Sequence, residues 1–135
     1  VIGADTVVSI DGQVLGKPRD RAEAERMLRA LSGRQHTVYT GVTVLYNGTA
    51  ETGSERTSVR FRPLTDGDIT RYIATGEPMD KAGAYGIQGY GSVLVEGISG
   101  DYYNVMGLPV CRLARMLARF GVDTLALAAE KEQAK

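Results

Sequence analysis

The residues best suited to chemistry are two lysines and one aspartate. Lys17 follows a glycine, and Lys81 lies in a glycine-rich segment, residues 80–91. Successive backbone N–H groups in such a segment can surround an anion, and a lysine adds a full positive charge. Asp5 lies within an apolar, strand-like stretch, where a carboxylate is costly unless it is paired, bound to metal or open to a cleft. The three could bind a polyphosphate, with two cations for phosphate oxygens and one carboxylate for a metal ion or a water.

Each of these signals also has a purely structural interpretation. The glycine-rich segment could be a simple connection into a strand, and Asp5 could be a structural carboxylate with its own hydrogen-bond partners. Lys81 and Gln88 favour binding, because they are polar residues in an otherwise apolar and glycine-rich setting. The sequence has no Walker-type phosphate loop, no cluster of cysteine and histidine, and no nucleophile-elbow serine motif. The spacing of the residues therefore gives only a weak signal by itself.

Length and composition exclude several classes of protein. The chain of 135 residues predicts a single domain, 1–135, that can bury a core. Its 16 basic and 16 acidic residues balance, so no global field attracts nucleic acid or an anionic membrane. A single cysteine, Cys111, excludes an internal disulfide framework and fits a reducing compartment. No apolar run approaches the roughly 18 residues that cross a bilayer. We expect a cytoplasmic protein that binds neither nucleic acid nor membrane.

The pattern of apolar residues and turns predicts an α/β fold with a mixed, twisted sheet, flanking helices and an active-site cleft. The predicted strands are residues 1–10, 13–15, 35–46, 56–62 and 92–98. Two-residue hairpin signals occur at Asp11-Gly12 and Asn47-Gly48. The predicted helices begin at Asp20, Thr65 and Pro109, the first two with capping residues. We expect Cys111, in the first turn of the last of these helices, to be a buried packing residue.

Several blocks of sequence, spread in order along nearly the whole chain, match a pattern typical of one protein family. They are Ala4-Asp5-Thr6-Val7-Val8, Leu15-Gly16-Lys17-Pro18, Leu31-Ser32-Gly33, Val38-Tyr39-Thr40-Gly41-Val42, Phe61-Arg62-Pro63-Leu64, Asp80-Lys81-Ala82-Gly83-Ala84-Tyr85-Gly86-Ile87-Gln88-Gly89, Gly100-Asp101-Tyr102-Tyr103-Asn104-Val105 and Gly107-Leu108-Pro109. In these blocks the chain resembles the Maf-like nucleotide pyrophosphatases. The resemblance implies a Maf/ITPase-like fold. It also implies hydrolysis of a nucleoside triphosphate to the monophosphate and pyrophosphate with a divalent metal, Mg²⁺ or Mn²⁺.

The resemblance also implies roles for individual residues. Asp5 matches the family's proton acceptor, acting as general base or as a metal ligand that activates the attacking water. Lys17 and Lys81 match its phosphate-site lysines, and Thr6 and Gln88 match positions that govern choice of base. The segment around Gln88 resembles the branch that acts on dTTP and UTP. One glutamine amide can pair with the adjacent carbonyl and N–H of thymine or uracil. The alternative is a catalytically impaired, nucleotide-binding regulator of cell division, a septum-formation inhibitor.

One departure from the family pattern concerns the start of the chain. Members of the family open with a strand, a loop carrying phosphate-binding arginine and serine, and a helical segment with a metal-site glutamate. This sequence begins where the family's second block begins. We expect either a fragment or a protein that has lost part of its site. We also expect the first strand, residues 1–10, to lack a neighbour and the chain to associate, for example as a homodimer.

Overall fold

The computed structural model describes residues 1–134, and its centre is one sheet in the order β2-β1-β3-β4-β5. The strands are β1 (Ile2–Ile10), β2 (Gln13–Leu15), β3 (Gln35–Tyr46), β4 (Thr49–Phe61) and β5 (Val95–Ser99). The α/β class is confirmed, but the predicted mixed sheet is wrong, since every pairing among the described residues is antiparallel. The reason is that β2 and β3, which run in the same direction, are separated by β1.

Strand β1 has a different environment on each side. Along one edge it pairs with β3 from Ile2 to Ser9. Along the other edge β2 covers only Val8 to Ile10. The predicted unpaired edge is present over residues 2–7, which have no partner strand on that edge among residues 1–134, while β3 covers the other edge. Association through that edge stays a prediction.

Helices flank the sheet. They are α1 (Arg21–Leu31), α2 (Asp66–Ala74), α3 (Tyr102–Met106), α4 (Val110–Arg119) and α5 (Thr124–Gln133). Asp20 and Thr65 cap α1 and α2 as predicted, each accepting a hydrogen bond from the backbone N–H three residues later. The predicted strand 92–98 begins only at Val95, because residues 90–94 form a 3₁₀ turn. Within residues 1–134 the structure contains no helix with the length and apolar character needed to cross a membrane.

The core forms on one face of β3, where alternate residues are buried from His36 to Val44. At one end of this face, α1, α2 and the glycine-rich segment pack around Phe61 and Leu28. At the other end, α4 packs Leu113 and Met116 against the strand. The prediction that Cys111 is buried is wrong, because it precedes Leu113 by two residues, about 200° around the helix, and is exposed. Between the two clusters, the same face of β3 carries the buried polar residue Thr40.

His36 joins the sheet to the glycine-rich segment. Its ring is 2% exposed, and its Nε2 lies 2.6 Å from the Tyr85 hydroxyl. Both rings pack edge-on against Phe61. Burial lowers the pKa of His36 to about 4, so the imidazole is neutral at physiological pH. His36 therefore has a structural role, holding the glycine-rich segment against the sheet.

Gly83 fixes the glycine-rich segment against β1. Its φ of +72° lies in the left-handed region. Its N–H donates to the Gly16 carbonyl over 3.1 Å. A Cβ at this position would lie 2.7 Å from Val8 Cγ2, and valine has little freedom to move away because its Cβ is branched. Only glycine meets both requirements here.

We expect Gly83→Ala to lower the free energy of unfolding by roughly 2–5 kcal/mol, because overpacking adds to left-handed backbone strain. The measurement is urea denaturation followed by circular dichroism. Gly97→Ala is the control, since a Cβ on Gly97 meets nothing within 4 Å, and its stability should match the wild type. Equal stability of the Gly83 variant and the wild type would contradict this account of the packing.

Candidate functional site

The five residues singled out from the sequence line one cavity of about 540 Å³. Asp5 and Thr6 reach it from β1, and Lys17 reaches it from the turn after β2. Lys81 and Gln88 reach it from the glycine-rich segment. The structure thus brings together residues that are up to 83 positions apart, from Asp5 to Gln88. The cleft is also lined by the C-terminal end of α3.

Asp5 is an exposed carboxylate within a strand. Its cross-strand partner on β3 is Gly41, which has no side chain to fill the space on that face. Among residues 1–134, no side chain or backbone group donates a hydrogen bond to Asp5, so its oxygens are available to a ligand. The structural interpretation of Asp5, with internal hydrogen-bond partners, finds no such partner among residues 1–134, and the role of Asp5 in the cleft stays a prediction.

Thr6 belongs to a polar layer in the gap between the two apolar clusters. Its hydroxyl lies 2.9 Å from the Thr40 hydroxyl, and Thr40 donates to the Asn104 carbonyl over 3.2 Å. The Asn104 amide donates over 3.1 Å to the Val38 carbonyl and to the Thr57 hydroxyl. These bonds hold α3 against the sheet at the edge of the cavity. Sequence pattern does not reveal this layer, because threonine and asparagine side chains are usually exposed.

Neither of the two lysines is engaged in a strong ion pair within the described residues. Within the described residues, no carboxylate lies within 4 Å of the Lys17 ammonium. Lys81 Nζ lies 3.2 Å from Asp80 Oδ1, in a pair whose side chains are 43% and 78% exposed. Exposed pairs of this kind contribute little energy, so a phosphate can compete for the lysine. The cavity therefore contains two cations that a phosphate could bind, together with the carboxylate of Asp5.

Gln88 is exposed, and the backbone around it is anchored by a residue that the sequence analysis missed. The Glu77 carboxylate accepts hydrogen bonds over 2.8 Å from the N–H groups of Tyr90 and Gly91. It also accepts a short hydrogen bond from the Tyr72 hydroxyl. Burial would raise the pKa of Glu77, but these hydrogen bonds and the nearby Lys81 charge hold it below its usual value. In the sequence, the only sign of this role is a glutamate that precedes a proline and the glycine-rich segment.

The donor atoms in the cavity suit a metal ion that arrives with a polyphosphate. Residues 1–134 contain no group of three or more His, Cys, Asp or Glu side chains that could hold a metal. Mg²⁺, however, is usually bound through one or two carboxylates together with substrate phosphates and water. Asp5 has free oxygens for that role, whereas the Glu77 oxygens are already taken by three donors. The site fits a shared ion and does not fit a permanent protein-only metal centre.

Comparison with known proteins finds one matching family and several similar proteins. Residues 1–120 match the family described as Maf-like protein. The dTTP/UTP pyrophosphatase of Symbiobacterium thermophilum is 59% identical over 121 residues, 90% of this chain and 62% of that protein. The proteins of the same name from Moorella thermoacetica and Bacillus pumilus are 58% and 56% identical over 125 and 122 residues. These cover 91% and 90% of this chain.

The chain spans 62–65% of the length of these curated relatives. The match runs through the strand that carries Asp5, the turn with Lys17 and the whole glycine-rich segment. Because the family match extends over residues 1–120, the chain belongs to the Maf-like protein family.

Proposed function

We propose that the complete protein hydrolyses dTTP and UTP to the nucleoside monophosphate and pyrophosphate. The observation that carries this proposal is that a free carboxylate, two lysines and an exposed glutamine amide all line the same cavity. Its volume of about 540 Å³ is suited to a small-molecule ligand. The relatives named dTTP/UTP pyrophosphatase support the same choice of substrate.

In the proposed reaction, Asp5 accepts a proton from a water that attacks the α-phosphorus of the nucleotide. The bond from the α-phosphorus to the oxygen that bridges it to the β-phosphate breaks, and pyrophosphate leaves. Lys17 and Lys81 bind the phosphate oxygens and offset their negative charge, which is where most of the catalysis of phosphoryl transfer comes from. Asp5 and the phosphates would hold a divalent cation, Mg²⁺ or Mn²⁺, which when bound neutralises further phosphate charge.

Base choice is proposed to depend on Thr6 and Gln88. The Gln88 amide offers one donor and one acceptor, the complement of the adjacent carbonyl and N–H of thymine and uracil. Thr6 lies on the cavity wall with its hydroxyl oriented by Thr40. We further propose that the protein acts in the cytoplasm, consistent with its single cysteine.

The direct test is pyrophosphate release from dTTP, UTP, CTP and ATP. It should be run with this chain and with the complete protein at equal concentration, alongside light scattering to measure association. We expect the complete protein to prefer dTTP and UTP. Binding of dTTP without any turnover by the complete protein would instead favour the nucleotide-binding regulator.

Asp5→Asn in the complete protein should lower kcat by about 10²- to 10⁴-fold, because the amide cannot accept the proton from water. The matched control is Asp66→Asn, which changes an exposed aspartate paired with Arg29 on the helical side of the protein. Circular dichroism should show that both variants are folded. Wild-type turnover in the Asp5 variant would exclude it as the base.

Lys17→Met and Lys81→Met should each raise the Kd for dTTP and make it less dependent on salt. Methionine keeps much of the aliphatic stem and removes the charge that pairs with phosphate. Isothermal titration at several salt concentrations measures both effects. Lys131→Met in α5, far along the chain from the cavity, is the control. If both cavity variants bind dTTP as the wild type does, the phosphates bind elsewhere.

Gln88→Ala should reduce the preference for dTTP over CTP, expressed as the ratio of kcat/KM values, by about 5- to 150-fold. This range corresponds to about 1–3 kcal/mol for a base edge left unpaired. Turnover of the preferred substrate should change less than the ratio. Gln133→Ala in α5 provides the control, and an unchanged ratio in the Gln88 variant would transfer the role to Thr6.

A further inference from the structure

A small hydrogen-bond network holds both ends of the segment that carries Gln88. The Tyr72 hydroxyl accepts the N–H of Gly86 over 3.0 Å at the start of the segment and donates to Glu77 Oε2. At the end of the segment, Glu77 accepts the N–H groups of Tyr90 and Gly91. Residues 86–91 are thus tied through two side chains that lie outside the segment.

Side-chain packing holds this segment at Ile87, which is buried in the core, but not over the three residues that follow. Gln88, Gly89 and Tyr90 are all exposed, so none of them is held by burial. Instead, the backbone at Gly89 and Gly91 lies very close to the side chains of Glu77 and Tyr72. A Cβ on Gly89 would overlap Glu77 Oε1, and one on Gly91 would lie 2.7 Å from the Tyr72 hydroxyl oxygen. The glycines allow the backbone to reach the carboxylate, and the carboxylate then fixes the backbone.

We propose that Glu77 is a positioning residue for base choice: by holding the backbone of residues 86–91 it aims the Gln88 amide into the cavity. This inference rests on the proposed function, since it concerns the base that the same cavity selects. Glu77 lines the cavity but does not act on the substrate, because its two oxygens already accept three hydrogen bonds.

The role requires a carboxylate rather than any polar side chain. Both Glu77 oxygens face donors. Oε1 accepts from the Tyr90 N–H, and Oε2 accepts from the Gly91 N–H and the Tyr72 hydroxyl. A glutamine amide can present only one oxygen, so its NH₂ group must face a donor wherever it is turned. Hydrogen bonds to an ionised acceptor are also stronger than those between neutral groups. Glu77→Gln therefore preserves size while releasing at least one end of the segment.

The test uses Glu77→Gln in the complete protein, with kcat/KM measured for dTTP, UTP and CTP. We expect the preference for dTTP over CTP to fall at least about 5-fold, with a smaller change in kcat for dTTP. Tyr72→Phe should shift the ratio in the same direction, since it removes one donor to Glu77 and the acceptor of Gly86 N–H. Glu96→Gln is the matched control, because Glu96 pairs with Arg60 at the surface. An equal loss of rate for all three nucleotides would overturn the proposal.

A double-mutant cycle separates positioning from general destabilisation. If Glu77 acts through Gln88, adding Glu77→Gln to Gln88→Ala should cause no further loss of preference. An additional loss of the same size as in the single variant would overturn the proposal, because the two residues would then act independently.

Amide hydrogen exchange tests the network without relying on activity. The N–H groups of Tyr90 and Gly91 should exchange faster in Glu77→Gln than in the wild type, and unchanged exchange would overturn the proposal. If the wild-type protein hydrolyses no nucleotide but exchange is faster in Glu77→Gln, the proposed function has failed. Only the role of Glu77 in holding the backbone is then supported. If hydrolysis and base preference are intact in every Glu77 and Tyr72 variant, the proposed function stands and the positioning role is wrong.

Discussion

The contact between Gly83 and Val8 determines where the parts of the candidate site lie relative to one another. Gly83 packs against Val8 with no space for a Cβ, and its N–H donates to the Gly16 carbonyl. One point thus joins β1, the turn after β2 and the glycine-rich segment. The residue after Gly16 is Lys17, and Lys81 stands two positions before Gly83. The separation of the two cations from each other and from the carboxylate on β1 follows from this contact.

The face of β3 that supports the site combines apolar packing with a polar layer. Two apolar clusters occupy its ends, and Thr40 and Asn104 lie between them, both fully buried. Buried polar groups are costly unless they find partners, and here they largely find one another and the backbone. Directional bonds of this kind specify one placement of α3, whereas apolar contact alone would allow it to slide. The position of α3, which lines the cleft, is therefore well defined.

Features that depend on residues close together in the sequence were predicted better than features that depend on distant residues. Asp20 and Thr65 were identified as helix caps because the bond that each makes reaches only three residues along the chain. The five cavity residues followed from motif resemblance, and the structure brings them together, although their roles stay predictions. Glu77 was missed because its partners are backbone N–H groups 13 and 14 residues away, which no side-chain pattern marks. The direction of strand pairing was wrong because it depends on strand order in space.

The burial of His36 has a consequence for the behaviour of the protein in solution. It is the only histidine, and its lowered pKa of about 4 removes the side chain that would ordinarily change charge near neutral pH. With 16 basic and 16 acidic residues, the net side-chain charge of the chain stays close to zero across that range. Electrostatic repulsion between copies is then weak, and a small change in pH cannot restore it. The colloidal stability of this chain depends on how well its exposed apolar residues are covered rather than on its charge.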